Sequence, residues 1–207
     1  MAVLNENVDE IQPNKLETIK KFFTTSWSIL LIGFIFSIIR IRYLLYPLGL
    51  MHRQPVKEGY RSYEAITFTE EFKIPFLQGI VIEQPIYVFL LEIGYFLFGK
   101  SPDGLVLWGR CLGFFLSALG LILVYKISEI IFGDFAAKFS AFLYSLSPYI
   151  ISVGIAIQRE TLMWLFGLCA LYFLLRYIQE NENRYIILTL IFSILSFMTK
   201  LTGLYFL

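Results

Sequence analysis

The sequence predicts an all-α, polytopic membrane protein, with about five transmembrane helices and interfacial helices in the first external loop. Composition is the first reason. With 57% hydrophobic residues, 16% charged residues and a mean hydropathy of +0.70, a soluble fold would leave too much apolar surface uncovered. The second reason is that the apolar residues fall into runs of the length a bilayer demands, about 20 residues each. The third is that the charges collect in the connections between those runs. Lys plus Arg (17) nearly balances Asp plus Glu (16), so no global field points to nucleic acid or to an acidic partner.

Residues 1–25 carry mixed charge, not a short basic start, and the apolar run that follows ends in arginines. This argues for an uncleaved anchor over a cleaved signal peptide, and Lys15, Lys20 and Lys21 place the N-terminus in the cytoplasm. The first span is expected at about residues 27–46, with Arg40 and Arg42 near its far end placed to snorkel to the head groups. Further spans are expected at 107–125, 139–157, 161–175 with its flanks, and from 185 onward. The run "IYVFLLEIGYFLFG" (86–99) is short, contains Glu92 and sits between a proline and a glycine. If it lies in or dips into the outer interface, the loops holding Lys126 and Lys138, and then Arg176 and Arg184, fall inside, as the positive-inside rule requires. Cys111 and Cys169 both lie in apolar runs and read as small buried hydrophobes, not as a disulfide or metal framework.

This topology turns residues 47–106 into one external loop and "IQRET" (157–161) into a tight external turn, with Lys200 in the outer half of the last span. Glu58, Arg61, Glu64, Glu83, Arg110, Arg159, Glu160 and Lys200 then converge on one membrane face. Charge at or inside a bilayer costs at least a few kcal/mol unless paired or hydrated, which makes such residues functional candidates. Each has a plainer reading. Glu160 is also a helix-start acid favoured by the macrodipole, Lys200 a snorkelling lysine, and Glu58 and Glu64 solvated loop charges. His52 is the only histidine, so neither a Ser-His-Asp arrangement nor a zinc site is supported. No GxGxxG or phosphate-loop pattern occurs. What remains is carboxylates able to act as a base or hold a divalent ion, beside cations able to neutralise a phosphate, all at a membrane surface.

The order of segments resembles the N-terminal half of membrane glycosyltransferases of the GT-C class, in the group of the protein O-mannosyltransferases (dolichyl-phosphate-mannose-protein mannosyltransferases) and the aminoarabinose transferases of lipid A. The resemblance rests on "EGYRSYEAI" (58–66) and "EQPIYVFLLEIGYFLFG" (83–99). It continues through "WGRCLGFFLSALGLILVYKISEIIFGDFAAK" (108–138), Ser147-Pro148, Glu160 and "TKLTG" (199–203).

By that resemblance Glu58 takes the place of the catalytic acid, usually aspartate, which deprotonates the acceptor. Glu160 matches the second acidic position. Arg110 and Lys200 match basic positions facing the donor's phosphate, and Arg159 is a further candidate for binding it. Tyr63, Glu83 and Gln84 are further loop candidates, Gln84 standing where relatives carry lysine or histidine. The implied reaction is inverting transfer of a sugar from a polyprenyl-phosphate donor to an acceptor hydroxyl at the outer face of the cell membrane. No cofactor is certain; a divalent metal, if used, would fall to Glu58 and Glu160.

The expected organisation is a cytoplasmic segment over 1–25 and a GT-C-like transmembrane module over 26–207, lacking the C-terminal half of the family fold. Two other classes stay open. One is a truncated, non-catalytic paralogue that binds polyprenyl phosphate or a partner transferase; the other is a lipid-transport subunit.

Overall fold

The computed structural model describes residues 27–44, 85–98, 102–155 and 157–200, together with Glu17 and Phe23. Among these residues the chain is entirely helical and no strand occurs. The helices are α1 (Trp27–Leu44), α2 (Pro85–Leu97), α3 (Pro102–Phe132), α4 (Asp134–Leu146), α5 (Pro148–Ile155), α6 (Arg159–Glu180) and α7 (Asn183–Thr199).

Two helical stretches are long and apolar enough to cross a membrane, Gly104–Phe132 and Arg159–Glu180. The apolar stretches Ser28–Ile41 and Asn183–Thr199 are shorter. The run expected to cross at 139–157 is not one helix. It breaks at Ser147-Pro148 into α4 and α5, because Pro148 has no N–H for the Tyr144 carbonyl and disfavours helical geometry at Ser147 (φ −61°, ψ 116°). The short run at 86–99 forms α2, whose 13 residues extend about 20 Å, less than a bilayer core.

Helix α3 is the scaffold. Its 31 residues extend about 46 Å, and it packs against α1, α2, α4, α5 and α6, while α6 and α7 form a tight antiparallel hairpin. One side of α3 carries Gly109, Gly113, Ser117 and Gly120, spaced by four, four and three residues, the small-residue stripe that lets helices approach closely in a membrane. The approach is visible at α5, where a Cβ on Gly154 would fall 2.8 Å from Ser117 Oγ. The principal core joins α2, α3 and α6 through Tyr87, Leu91, Leu105, Leu116, Leu162 and their neighbours. Tyr87 is wholly buried there.

Helix α2 is pinned to α3 by Trp108. Its indole N–H donates to the Leu90 carbonyl at 2.8 Å, and its ring lies where a side chain on Gly94 would have to be. A second core gathers Phe23, Ile32 and Ala141, with the Phe23 ring edge-on to Phe135, Phe139 and Phe142 of α4.

Lys126 and Lys138 do not sit in a loop. They lie within α3 and α4, which are separated by Gly133 alone. An ionic cluster closes this corner: Lys126 pairs with Glu129 (2.8 Å), Lys138 with Asp134 (2.7 Å), and the Tyr125 hydroxyl lies 3.2 Å from Glu129 and 3.1 Å from Asp134. Gly133 has φ 84° and ψ 178°, a region essentially restricted to glycine, and no atom lies near enough to contact an added Cβ. Gly133→Ala is therefore expected to cost about 1–3 kcal/mol of backbone strain with no steric clash, read as a lowered unfolding midpoint in detergent with unchanged helical content.

Arg176 and Arg184 likewise lie in helices. They pair with Glu180 and Glu182, flanking a two-residue connection in which Asn181 caps α6 in the left-handed conformation that asparagine tolerates.

Arg40 departs most from expectation. It does not snorkel; its side chain is 0% exposed, its Nε donates to Ser117 Oγ and its Nη1 to the Ser145 carbonyl, both at 3.3 Å. The fold folds back on it because α1 packs against α4 and α3 at this depth.

Candidate functional site

The charges that the structure brings together lie where α5 ends, α6 begins and α7 ends. Gln158, the extended residue before α6, offers no side-chain cap, so the helix start is served by Glu160 in its first turn, where the exposed N–H groups favour an anion. Lys200 caps α7 with an extended backbone, its N–H donating to the Ser196 carbonyl at 3.2 Å. This turns the ammonium toward α6, and Lys200 Nζ reaches Glu160 Oε1 at 2.9 Å across 40 residues of sequence. Arg159 Nε lies 4.0 Å from the same oxygen.

The pair is neither surface nor core: the Glu160 and Lys200 side chains are 24% and 26% exposed. A half-buried carboxylate between two cations stays ionised and holds both in place, which presents net positive charge at the end of the hairpin.

Neighbouring hydroxyls fix the frame. Thr161 donates to the Val153 carbonyl at 3.0 Å, tying α6 to the end of α5, and Ser196 donates to the Met163 carbonyl at 3.0 Å, tying α7 to α6. Arg110 lies on α3. It follows Gly109, where an added Cβ would fall 2.8 Å from Ile157, two residues before Arg159.

Beside this cluster, between α3, the α4–α5 break and α6, runs a cavity of about 390 Å³. Thr161, next to Glu160, lines one part of it. Most of the rest is hydrocarbon or aromatic, including Leu116, Val124, Ile150, Trp164 and Leu168. Tyr149 and Trp164 pack ring to ring at 5.5 Å on its wall. Such a lining offers few hydrogen bonds and suits an apolar chain.

Of the residues expected from sequence to carry function, Arg159, Glu160 and Lys200 converge, and Arg110 lies on α3 next to the Gly109 that meets Ile157. Glu58, Tyr63, Glu83 and Gln84 lie outside the described residues, as do Arg61, Glu64 and His52. A divalent ion finds little in the residues that do converge. Glu160 is one carboxylate with two cations around it, and among the described residues no group of three His, Cys, Asp or Glu side chains comes together. Cys111 and Cys169 are free and half buried.

Sequence reasoning missed Thr161 and Ser196, whose hydroxyls set the orientation of the hairpin. Their signal was a polar residue within an apolar run at a helix contact.

The segment that carries these features, residues 83–207, matches the family model of the dolichyl-phosphate-mannose-protein mannosyltransferases. The chain belongs to this family. The match spans "EQPIYVFLLEIGYFLFG", the α3 arginine, Ser147-Pro148, the Glu160 turn and "TKLTG"; "EGYRSYEAI" precedes it. No curated protein and no solved structure matches the chain. The family is one of glycosyltransferases, and with its apolar helices the chain is a membrane protein of that family.

Proposed function

We propose that the chain takes part in sugar transfer from a polyprenyl-phosphate donor to an acceptor hydroxyl at the external face of the membrane, with the N-terminus cytoplasmic. The observation that carries this reading is the Glu160–Lys200 pair with Arg159, set beside an apolar cavity in a chain of this family. Phosphate chemistry needs cations where the leaving group gathers charge, and a lipid-linked donor needs an apolar surface beside them.

In the reaction, the acceptor O–H gives its proton to Glu58 and the oxygen attacks the anomeric carbon from the face opposite the phosphate. The carbon–oxygen bond to the phosphate breaks, its electron pair leaves with polyprenyl phosphate, and the configuration inverts. Lys200, Arg159 and Arg110 stabilise the charge that builds on the leaving phosphate. Glu160 holds Lys200 and Arg159 in position and is not itself the base, since a carboxylate already paired with two cations is a weak proton acceptor.

The test is transfer of radiolabelled sugar from a panel of polyprenyl-phosphate sugars in reconstituted membranes, comparing the native chain with Glu58→Gln. Loss of transfer by about 10²-fold or more, with donor binding retained, is the expected outcome. Undiminished transfer in the variant removes Glu58 as the base. Donor binding without transfer by the native chain, under conditions where another family member is active, replaces the catalytic reading with that of a binding paralogue. Net movement of the lipid across the bilayer would favour a transport subunit.

A further inference from the structure

Where α4 stops, carbonyls lose their partners. Pro148 returns no N–H to Tyr144, and the turn at Ser147 removes regular helical pairing from its neighbours. The Leu143 carbonyl accepts from the Ser147 N–H at 3.0 Å, and Ser147 Oγ receives the Ile150 N–H at 3.5 Å to start α5. The Ser145 carbonyl is served from 105 residues away, by Arg40 Nη1.

The same guanidinium donates to Ser117 Oγ on α3 and lies 3.7 Å from the centroid of Phe36, and its Nη2 has no partner among the described residues. The Tyr144 hydroxyl donates to the Ser117 carbonyl at 3.2 Å, so α1, α3 and the end of α4 are joined around one serine. A wholly buried cation is expensive, and among the described residues it meets two serines and a phenylalanine ring and no carboxylate. What a guanidinium supplies, and an ammonium does not, is a rigid planar fork that reaches acceptors on two different helices at once.

We infer that Arg40 is a positioning residue: it holds the bend at Ser147-Pro148 by capping the freed Ser145 carbonyl while anchored to α3. The bend matters beyond α4. Helix α5 ends at Ile155, three residues short of Gln158, and is tied to α6 by Thr161. The angle at the break thus sets where the first turn of α6 places Arg159 and Glu160.

The test uses Cys111→Ser/Cys169→Ser protein in detergent, with spin labels at positions 139 and 152 on either side of the break, and two readouts: the unfolding midpoint and the label-to-label distance. Arg40→Met is expected to lower the midpoint by several degrees and to broaden the distance distribution. Adding Pro148→Ala, which restores an N–H and lets the helix continue, is expected to recover most of the midpoint and to give the longer, single distance of an uninterrupted helix.

Additive losses of midpoint, or a native, narrow distance in Arg40→Met, overturn the inference. If Arg40→Met does not fold, Pro148→Ala is compared with and without Arg40→Met. A small cost of losing Arg40 in that background supports capping of the break, and loss of the folded state there refutes it. Neither readout depends on sugar transfer, so failure of the glycosyltransferase reading would leave this result intact.

Discussion

On the proposed function, Lys200→Met is expected to lower sugar transfer by about 10²- to 10³-fold, the range for deleting one donor aimed at developing charge. The substitution keeps most of the side chain's apolar length and removes its ammonium, so the Glu160 carboxylate keeps only Arg159, at 4.0 Å. On that reading two effects combine: the cation proposed to face the leaving phosphate is gone, and a half-buried anion repels that phosphate. Initial rates in reconstituted membranes measure the first. The double variant Glu160→Gln/Lys200→Met separates the second, because it removes the repulsion but not the missing cation. It is expected to recover the unfolding midpoint and only a small part of the rate. Lys200→Arg, which retains charge, is expected to keep far more activity than Lys200→Met. A rate within threefold of native in Lys200→Met would reduce the pair to a structural clasp between α6 and α7.

Gly94→Ala is expected to destabilise the protein by about 3 kcal/mol, because its added methyl meets a closer obstruction than at the other glycines of the described helices. The added Cβ would lie 1.8–2.4 Å from three atoms of the Trp108 indole. That ring is not free to step aside, since its N–H is bonded to the Leu90 carbonyl and it packs against Phe98, with centroids 6.1 Å apart. Either α2 leaves α3 or the indole leaves its hydrogen bond, and both open the core built on Tyr87, Leu91 and Leu105. The midpoint of unfolding and the tryptophan emission maximum report the two outcomes. Trp108→Phe in the Gly94→Ala background gives the smaller ring room and is expected to return part of the loss. Additive losses from the two substitutions would mean that the clash is relieved elsewhere.

Helix existence was legible in the sequence because burial in an apolar medium leaves a chain little choice but to satisfy its own backbone. Runs of apolar residues about 20 long therefore announced helices over most of α1, α3, α6 and α7, whereas the run over 139–157 read as one span and the structure breaks it at Ser147-Pro148. The ends were less legible. Lys126 and Lys138 looked like loop charges because charge marks connections only on average; here an i,i+3 and an i,i+4 ion pair allow both to continue their helices to within a residue of the turn.

The site divides in the same way. Arg159, Glu160 and Lys200 could be named from their rarity in an apolar chain, because an ionisable group near lipid is costly and so stands out in a single sequence. Their partnership could not. Glu160 and Lys200 are 40 residues apart, and the bond between them depends on the α6–α7 hairpin returning in register, which Ser196 and Asn181 help to set.

Arg40 is the clearest case. Its position near the end of an apolar run fits snorkelling to the head groups and equally fits capture by protein. A side chain's distance from water is a property of what packs over it, not of the run it belongs to. The sequence by itself determined that this chain is helical, built for a membrane, and furnished with a few carboxylates and cations rare enough in an apolar chain to stand out. Only the tertiary structure decided which charges meet. Pairing across helices is fixed by small-residue contacts such as Gly154 against Ser117 and Gly94 against Trp108, and each depends on the shape of a partner far away in the chain.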